Sequence, residues 1–448
     1  MRKSCRVVIV LLLAGAAAAC ASARNAEPAS EPIPRDIAVA TFDSLWSKVR
    51  NTYVDTVFVS TEWMRMRDSL RPRAELVTTR RELDQLLADA LHHIHDSHFY
   101  IIPARVATPE SSTSKSGGRG TTGLAVRVAQ ERVVAWRVEQ GSAAWNSGMR
   151  AGYAVNTIEG RNTDSAMKHV RALPAEAQPL ELANMLHGFN GMLNPAVGDT
   201  VLVSASAPDG KAIRYSLIAT QGEGTVSQFG NLPPIAGLVN VERIPSKTPN
   251  GCVGLIAFNI WLPALVPEIE RAVDSVRTCD GVVIDLRGNP GGVGAMVMGF
   301  GGYFVDSTRS LGTMRTRQVS LNFVINPRTS RSDGRSVPPF NGPLAILVDP
   351  MSASTSEIFA AGMQRIGRAR VFGEPSARAA LPALMERLPS GDVFVHAVAD
   401  FTDPKGKRIE GAGAVPDEIV PLTVPDLLAG KDAPLEAAVR WIASEKKS

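Results

Sequence analysis

The sequence predicts an α/β protein whose second half carries a largely parallel sheet. From about residue 251 onward, short apolar runs typical of buried strands alternate with segments of helical periodicity. That alternation is typical of a parallel sheet with helices packed on its faces. A helical region and a module of short alternating strands precede it. We therefore expect an α/β core, a helical N-terminal region and a β-rich module between them.

The first twenty residues have the pattern of a secretory signal. Three basic residues precede an apolar run at 7–13, and a small-residue stretch follows that ends at Cys20. The apolar run is too short to span a membrane as a helix. Small residues directly before a cysteine resemble a bacterial lipoprotein signal, which predicts an exported, periplasmic protein anchored to the membrane through a lipidated Cys20. Because Ala17 stands where such signals usually carry Leu, plain signal cleavage is the alternative.

Composition and charge give no reason to expect a nucleic-acid partner. The formal net charge of the 448 residues is +4. Three of these positive charges lie in the signal segment, which leaves +1 for the remaining chain. With 44% hydrophobic and 21% charged residues, the composition is that of an ordinary globular protein of two or three domains.

Four regions follow the signal. Residues 21–35 are rich in Ala, Pro, Ser and Glu, which predicts a flexible tether. Apolar residues at helical spacing predict the N-terminal helical region over 36–105. Short alternating strands and the turn signal Pro208-Asp209-Gly210 predict the β-rich module over 119–220. The α/β core is expected over 235–448.

Two cysteines remain in the core. Cys252 and Cys279 each lead into an apolar run that predicts a buried strand. If these strands are parallel neighbours, both thiols lie at the same end of the sheet, and an exported protein could join them in a disulfide. Two buried free thiols are the alternative.

A serine-rich turn is the first candidate site. The buried strand expected at 344–348 leads into Ser352, Ser354 and Ser356, and a helical pattern follows. A hydroxyl at such a junction lies beside unpaired helix N-terminal amides, which can stabilise an oxyanion. The structural alternative is a serine N-cap.

A second candidate loop, Asp285 to Gly292, also follows an expected strand. Its adjacent glycines, Gly291 and Gly292, allow backbone amides to approach a substrate closely. In α/β proteins, sites lie at the carboxyl ends of the strands, although a plain turn explains the glycines equally well.

A serine nucleophile needs a base and a group that orients the base. Four of the seven histidines lie within 92–98, and His98 falls where a helix should give way to a strand. His92 and His95 could share a helix face with Asp96, so a metal site is an alternative there. Late in the chain, Glu410 is flanked by glycines and could orient a catalytic group, or be an ordinary loop carboxylate.

The motifs DLRGNPGG, SASTSE, FGEP and IEGAGAVPD occur in this order. Together they resemble the carboxy-terminal processing (tail-specific) serine peptidase family, including its tricorn-core-like branch, over about residues 36–425. The resemblance implies a ClpP/crotonase-like ββα spiral core with an N-terminal helical region and an inserted PDZ-like β domain. It also implies that Ser354 is the nucleophile.

The resemblance extends to the catalytic branch. In the Ser/Lys branch a lysine base follows the serine by 25 residues, and this chain has Ala379 at that position. Ser97-His98 and Glu410 match the tricorn-like branch, which implies that His98 is the general base, supported by Ser97 and Glu410. The amide of Thr355, with that of Gly291 or Gly292, would form the oxyanion hole. No metal or organic cofactor is implied.

The PDZ resemblance supplies a candidate substrate site. Thr122, Gly123, Leu124 and Ala125 match the loop on which PDZ domains hold a peptide's terminal carboxylate, although Tyr153 replaces the usual Asp after a glycine. The expected partner is a peptide or protein substrate, including C-terminal tails. The alternative is a catalytically inactive protein that binds peptides or apolar ligands on the same fold.

Overall fold

The computed structural model describes residues 31–104, 120–227, 230 and 234–445. The predicted signal with Cys20, and residues 21–30 of the predicted tether, lie outside these ranges. Within them, no helix has both the length and the apolar character needed to cross a membrane.

Helices occur in all three regions, and two 3-10 turns lie in the core at Pro263–Leu265 and Gly302–Phe304. The α-helices of the described residues are α1 (Arg35–Thr52), α2 (Thr56–Ser60), α3 (Glu62–Ala74), α4 (Arg80–Leu91), α5 (Ala143–Asn146), α6 (Thr163–Ala172), α7 (Gln178–Met192), α8 (Val266–Val276), α9 (Met296–Gly301), α10 (Thr355–Arg365), α11 (Val424–Leu428) and α12 (Ala433–Glu445).

The strands form several small sheets and two large ones. They are β1 (Tyr100–Ile102), β2 (Gly120–Thr121), β3 (Leu124–Ala129), β4 (Arg132–Val138), β5 (Ala154–Ile158), β6 (Arg161–Asn162), β7 (Thr200–Ser206), β8 (Ala212–Ile218), β9 (Thr220–Gln221), β10 (Thr225–Ser227), β11 (Ile235–Gly237), β12 (Val239–Pro245), β13 (Cys252–Phe258), β14 (Gly281–Asp285), β15 (Arg309–Arg315), β16 (Ser320–Ile325), β17 (Leu344–Val348), β18 (Arg370–Gly373), β19 (Ala383–Arg387), β20 (Val393–Ala397), β21 (Asp400–Thr402) and β22 (Glu418–Ile419).

The N-terminal helices α1 to α4 pack around their own apolar core and against the hairpin β19–β20. Helix α4 begins with a capping box in which Thr79 and Glu82 satisfy each other's backbone amides. Phe394 of β20 is fully buried in the helical cluster. After α4 the chain turns into β1, which pairs antiparallel with β20. The turn at residues 92–99 is therefore fixed at both ends, by a helix and by a strand of the core.

The β-rich module is built on a sheet of order β3-β4-β5-β7-β8, in which β3 is an edge strand. Helices α6 and α7 pack against this sheet and were not predicted from the sequence. The glycines Gly188 and Gly191 and the intervening Asn190 weaken the helical signal of α7, because these residues have low helix propensity. Tertiary packing stabilises α7 in spite of them.

The core is a six-stranded sheet of order β12-β13-β14-β17-β18-β22, parallel throughout except for the first strand. Ile284 and Ile346 face the cluster that includes helices α8, α9 and α10. Val283 and Leu347 face the opposite side, where Ile442 of α12 packs. The strands are thus covered by helices on both faces, and the prediction of an α/β core is confirmed.

Two adjacent strands of this sheet bring the candidate loops together. β14 pairs in parallel with β17, with Asp285 opposite Leu347. The glycine loop and the serine turn therefore leave neighbouring strands at the same carboxyl edge. At the other edge, Cys252 and Cys279 are joined in a disulfide across β13 and β14.

Several strands of the core were not predicted from the sequence. β20 was missed although all of its residues are buried. β15, β16 and β19 carry exposed and half-buried residues, whereas β14 and β17, which were predicted, are buried throughout. Continuous apolar runs are easier to recognise than short alternating ones with polar outer faces.

Candidate active site

Ser354 lies where β17 gives way to α10, in a strained turn. It occupies the N-cap of α10 with φ 55° and ψ −119°. Such a conformation costs a non-glycine residue about 1–3 kcal/mol. Its backbone N–H donates to the carbonyl of Ala379 at 2.6 Å and to Glu357 Oε2 at 2.9 Å. The Ser354 side chain accepts from the backbone N–H of Glu357 in the capping box of α10. Among the described residues its O–H donates no hydrogen bond.

The hydroxyls of the two neighbouring serines are both occupied. Ser352 is fully buried, and its Oγ donates to the carbonyl of Leu286 at 2.8 Å. Ser356 Oγ accepts from Trp261 Nε1 at 2.9 Å and donates to the carbonyl of Asn289 at 3.1 Å. Both serines tie the serine turn to the neighbouring glycine loop and strand.

Glu357 holds this turn and was not singled out from the sequence. Its Oε1 accepts from Ser376 Oγ at 2.5 Å and from the N–H of Arg378 at 2.7 Å. Its Oε2 accepts from the N–H groups of Ser354 and Ala379, each at 2.9 Å. Burial raises the pKa of Glu357 to about 7, and these donors counteract that rise. The Ser-x-x-Glu spacing of a capping box was the signal that could have identified it.

The glycine loop lies directly against Ser354. A Cβ atom on Gly291 would lie 2.7 Å from Ser354 Cβ and 3.0 Å from Thr355 N, so only glycine lets the loop approach so closely. Gly291 itself donates its N–H to Asn289 Oδ1 at 3.0 Å. The expectation that Gly291 could be an oxyanion donor is therefore corrected. The N–H groups of Gly292 and Thr355 have no partner among the described residues, and Thr355 Oγ1 donates to the carbonyl of Gly292 at 2.9 Å.

His98 lies in the turn between α4 and β1, in a left-handed backbone conformation with φ 62°. Its Nδ1 lies 2.7 Å from Ser97 Oγ. Nε2 has no hydrogen-bond partner within the described part of the chain. Burial lowers the pKa of His98 to about 4, so the ring is neutral at physiological pH. A neutral imidazole with one free nitrogen is the state that a general base requires.

Glu410 binds the histidine segment to the core. Its Oε1 accepts the N–H of Ser97 at 2.8 Å, and its Oε2 accepts the N–H of Ala380 at 2.6 Å. Burial raises the pKa of Glu410, while these two N–H groups and the Ser97 hydroxyl lower it. The carboxyl group thus contacts both the residue before His98 and the segment that holds Ser354.

These contacts form a continuous path between nucleophile and histidine. Ser354 donates its N–H to Ala379, the next residue donates to Glu410, and Glu410 accepts from Ser97, whose Oγ contacts His98. Residues from three distant parts of the sequence are therefore held together by hydrogen bonds of 2.6 to 2.8 Å. Ala379 provides backbone contacts here, and its side chain is 4% exposed and packs on Ala183 of α7.

The chain is similar to known peptidases. Residues 253–420 match the model of peptidase family S41. The carboxyl-terminal-processing protease of Picosynechococcus sp. is 26% identical over 387 residues, covering 84% of this chain and 81% of that protein. The protein of the same name from Synechocystis sp. is 23% identical over 385 residues, covering 84% and 79%.

The fold agrees with solved structures of the same class. The photosystem II D1 C-terminal processing protease aligns with a TM-score of 0.56 at 20% identity, covering 91% of this chain and 98% of that one. The prediction of the α/β peptidase fold is confirmed by this likeness. The S41 match and the processing-protease relatives confirm the predicted family and enzyme class, a serine-type peptidase.

The remaining histidines of the cluster form no shared site among the described residues. Helix α4 ends at Leu91, and residues 92–99 form a turn. His92 and His95 are both exposed and do not share a helix face with Asp96. The alternative of a metal site built on that face is therefore wrong, because the helix ends before the first of these side chains.

In the β-rich module, the loop that was expected to bind a peptide's terminal carboxylate already uses some of its backbone groups for internal hydrogen bonds. Gly123 donates its N–H to Thr121 Oγ1 at 3.0 Å, so this amide is engaged and the expectation is corrected at this position. Leu124 is buried and pairs with Val138, and Ala125 pairs with Arg137 in the neighbouring strand.

Asn190 of α7 covers the free edge of β3. Its Oδ1 accepts the N–H of Val126 at 2.9 Å, and its Nδ2 donates to the carbonyl of Val126 at 3.1 Å. These are the two main-chain bonds that an added peptide strand would make at that residue. A peptide that pairs with β3 at Val126 must therefore displace the Asn190 side chain.

The β-rich module also contacts the serine turn of the α/β core directly. Arg127 Nε donates to Asp349 Oδ2 at 2.6 Å, and both side chains are about nine-tenths buried. The other oxygen of Asp349 accepts the N–H of Gly288 at 2.8 Å. His187 Nε2 lies 3.1 Å from the carbonyl of Met351, and burial lowers the pKa of His187. Sequence reasoning missed these contacts, because no local pattern pairs residues so far apart.

Proposed function

We propose that this protein cleaves peptide bonds through an acyl-enzyme on Ser354, with His98 as the general base. The observation that carries the proposal is the hydrogen-bonded path from Ser354 through Ala379, Ala380 and Glu410 to Ser97 and His98. The absence of a lysine at position 379 supports the same assignment, because Ala379 has no titratable group and the serine needs a base from elsewhere.

The proton path follows from the contacts of the histidine ring. With Nδ1 protonated and donating to Ser97 Oγ, the Ser97 hydroxyl donates in turn to the Glu410 carboxylate. The unpaired Nε2 then accepts the proton of the Ser354 hydroxyl as Oγ attacks the substrate carbonyl. The protonated ring returns that proton to the leaving amine, and a water molecule activated in the same way hydrolyses the acyl-enzyme.

The oxyanion of each tetrahedral intermediate is stabilised by two amides. Gly292 and Thr355 supply N–H donors from two adjacent loops of the sheet, and the bond from Thr355 Oγ1 to the Gly292 carbonyl holds these loops in register. Loss of one such donor typically lowers kcat by about 100- to 1,000-fold.

The proposed substrates are peptide or protein C-terminal tails, presented to an exported enzyme. The names of the Picosynechococcus and Synechocystis relatives support the choice of tails. β3 is an edge strand, to which a peptide can add once the Asn190 side chain is displaced. The signal pattern ending at Cys20 supports export with a lipid anchor, in the periplasm of a bacterium. Mass spectrometry of the mature N-terminus that shows an unmodified residue other than Cys20 would reject the anchor.

A serine-reactive probe tests the mechanism without knowledge of the natural substrate. The wild-type protein is treated with a fluorophosphonate, and the labelled residue is located by peptide mass spectrometry. We expect the label on Ser354, no label in Ser354→Ala or His98→Ala, and no further loss in the double variant, because the two residues act as a unit. Ser275→Ala is the matched control, since that hydroxyl bonds only to the Ala272 carbonyl of its own helix.

Turnover is measured on one model peptide carrying either a free carboxylate or a carboxamide. We expect faster cleavage of the free acid, and equal rates would reject the preference for tails. Unchanged labelling or cleavage in Ser354→Ala would reject the mechanism and favour the non-catalytic binding protein. Additive losses in the double variant would reject His98 as the base.

A further inference from the structure

Asp96, the residue two positions before the proposed base, is held from the core by one arginine. Arg408 Nη2 donates to Asp96 Oδ2 at 2.7 Å, and Nη1 donates to Asp96 Oδ1 at 3.2 Å. This paired geometry is the fork-to-fork contact that fixes the orientation of both groups. Arg408 is itself anchored, because its Nε donates to Asp400 Oδ1 at 2.9 Å and Oδ2 at 3.0 Å. Arg408 also lies two residues before Glu410, so one short segment of the core contacts both Asp96 and Ser97.

Tyr53 holds the same turn from the helical region. Its hydroxyl donates to Asp96 Oδ2 at 2.7 Å. Its ring meets the ring of Phe99, the residue after His98, edge to face at a centroid distance of 5.0 Å. Arg317 Nε fixes Tyr53 by donating to its carbonyl at 2.6 Å. The residues that flank the Ser97-His98 pair on both sides are therefore bound to one tyrosine.

We propose that Arg408, Asp96 and Tyr53 are positioning residues that hold His98 in register with Ser354 and Glu410. The proposal rests on the proposed function, in which His98 is the base. We call the three side chains the histidine clamp. Within the described residues none of them bonds to the His98 ring, and they contact one another and Phe99, so they act through the turn that carries the base.

The backbone of the turn explains why a clamp is needed. His98 has φ 62°, a conformation that a non-glycine residue holds only where its surroundings impose it. The base and Glu410 come from segments 312 residues apart, as do Asp96 and Arg408, so no local structure fixes their separation. A shift of about 1 Å in a catalytic group can lower the rate about 100-fold.

The test measures acylation of Ser354 by the fluorophosphonate in single clamp variants. Arg408→Gln removes the fork, and Tyr53→Phe removes one hydroxyl without changing the ring. We expect the maximal acylation rate to fall about 10- to 100-fold in Arg408→Gln and about 3- to 10-fold in Tyr53→Phe, with the probe's half-saturating concentration within about twofold of wild type. Arg408→Lys, which keeps the charge but not the fork, should recover part of the loss.

Arg370→Gln is the matched control. The Arg370 side chain is 41% exposed, like that of Arg408, and it forms one ion pair with Glu418 at 3.2 Å in a different part of the core. We expect that variant to acylate at the wild-type rate, and its melting temperature to fall no more than that of Arg408→Gln, because Arg370 binds one carboxylate and Arg408 binds two.

The outcomes separate this proposal from the proposed function. Wild-type acylation rates in both Arg408→Gln and Tyr53→Phe, with no labelling in His98→Ala, would overturn the clamp and leave the mechanism intact. Wild-type labelling in His98→Ala would overturn the mechanism itself. A loss of acylation in Arg370→Gln equal to that in Arg408→Gln would also overturn the clamp, because any lost ion pair would then have the same effect.

Discussion

The pH dependence of acylation gives a quantitative test of how burial changes the pKa of His98, the proposed base. Burial lowers the pKa of His98 to about 4, against an ordinary histidine value of about 6.5. A base must be neutral to accept a proton, so activity is lost as pH falls through its pKa. At pH 5 a base of pKa about 4 is about 90% neutral, whereas an unperturbed histidine is about 3% neutral. The two cases therefore differ about 30-fold in rate at that pH.

The assay is the second-order rate constant for fluorophosphonate labelling of Ser354 between pH 4 and pH 8, with circular dichroism at each pH to verify that the protein is folded. We expect the acid limb to have its midpoint near pH 4. Glu357 requires a control, because burial raises its pKa to about 7 and it binds the backbone of the nucleophile. The profile is therefore repeated in Glu357→Gln, which does not titrate.

A loss of activity with its midpoint near pH 7 that is absent from Glu357→Gln would be caused by titration of the Glu357 carboxyl group. The variant would then show only the loss with its midpoint near pH 4. A limb near pH 6.5 that persists in Glu357→Gln would refute the reasoning. It would show that His98 is solvated in the working enzyme, or that another histidine is the base.

Two further predictions concern the loop and the disulfide. In Gly292→Ala the new Cβ would lie 2.3 Å from the carbonyl oxygen of Trp261, at φ 139°. We expect acylation in that variant to fall at least about 100-fold. In Gly294→Ala the new Cβ meets nothing closer than 3.8 Å, so the acylation rate should hardly change. Equal effects of the two substitutions would contradict the assigned donor. Replacing both Cys252 and Cys279 by Ser opens a link across a sequence separation of 27, which by loop entropy lowers the unfolding free energy by about 3–4 kcal/mol. Because the disulfide lies at the far edge of the sheet, acylation in native conditions should not change, and a loss of activity without a loss of stability would contradict this placement.

The parts of the site that the sequence predicted are those carried by local patterns. Ser354 and the glycine loop follow continuous apolar runs, and such strands are recognisable because both of their faces are buried. The parallel pairing of those strands then places both loops at one edge without further information. His98 and Glu410 were found through motifs, since nothing in the residues between them indicates that the two meet.

The parts that the sequence did not predict depend on long-range contacts. Glu357 was visible as a capping-box residue, but its bonds to Ser376 and Arg378 follow from the path of the chain after β18. The fork between Arg408 and Asp96 joins two charged residues, and local sequence patterns would place each of them on the surface. Helix α7 forms despite weak propensity, because it packs between the edge strand β3 and the serine turn.

The environment of Ala379 supports the proposal that the base comes from a distant segment. Its small side chain packs against Ala183 of α7 and Ala377, so a long side chain at this position would have to displace the helix of the β-rich module. The backbone on either side is committed as well, since the Ala379 carbonyl accepts from Ser354 and the Ala380 N–H donates to Glu410. The segment therefore acts through its backbone, as the support that aligns the nucleophile with Glu410. In the proposed mechanism the core supplies the serine, the oxyanion donors and the orienting carboxylate, and the base comes from another segment. Glu410 joins the two, because it accepts from Ala380 of this segment and from Ser97, the residue before the proposed base.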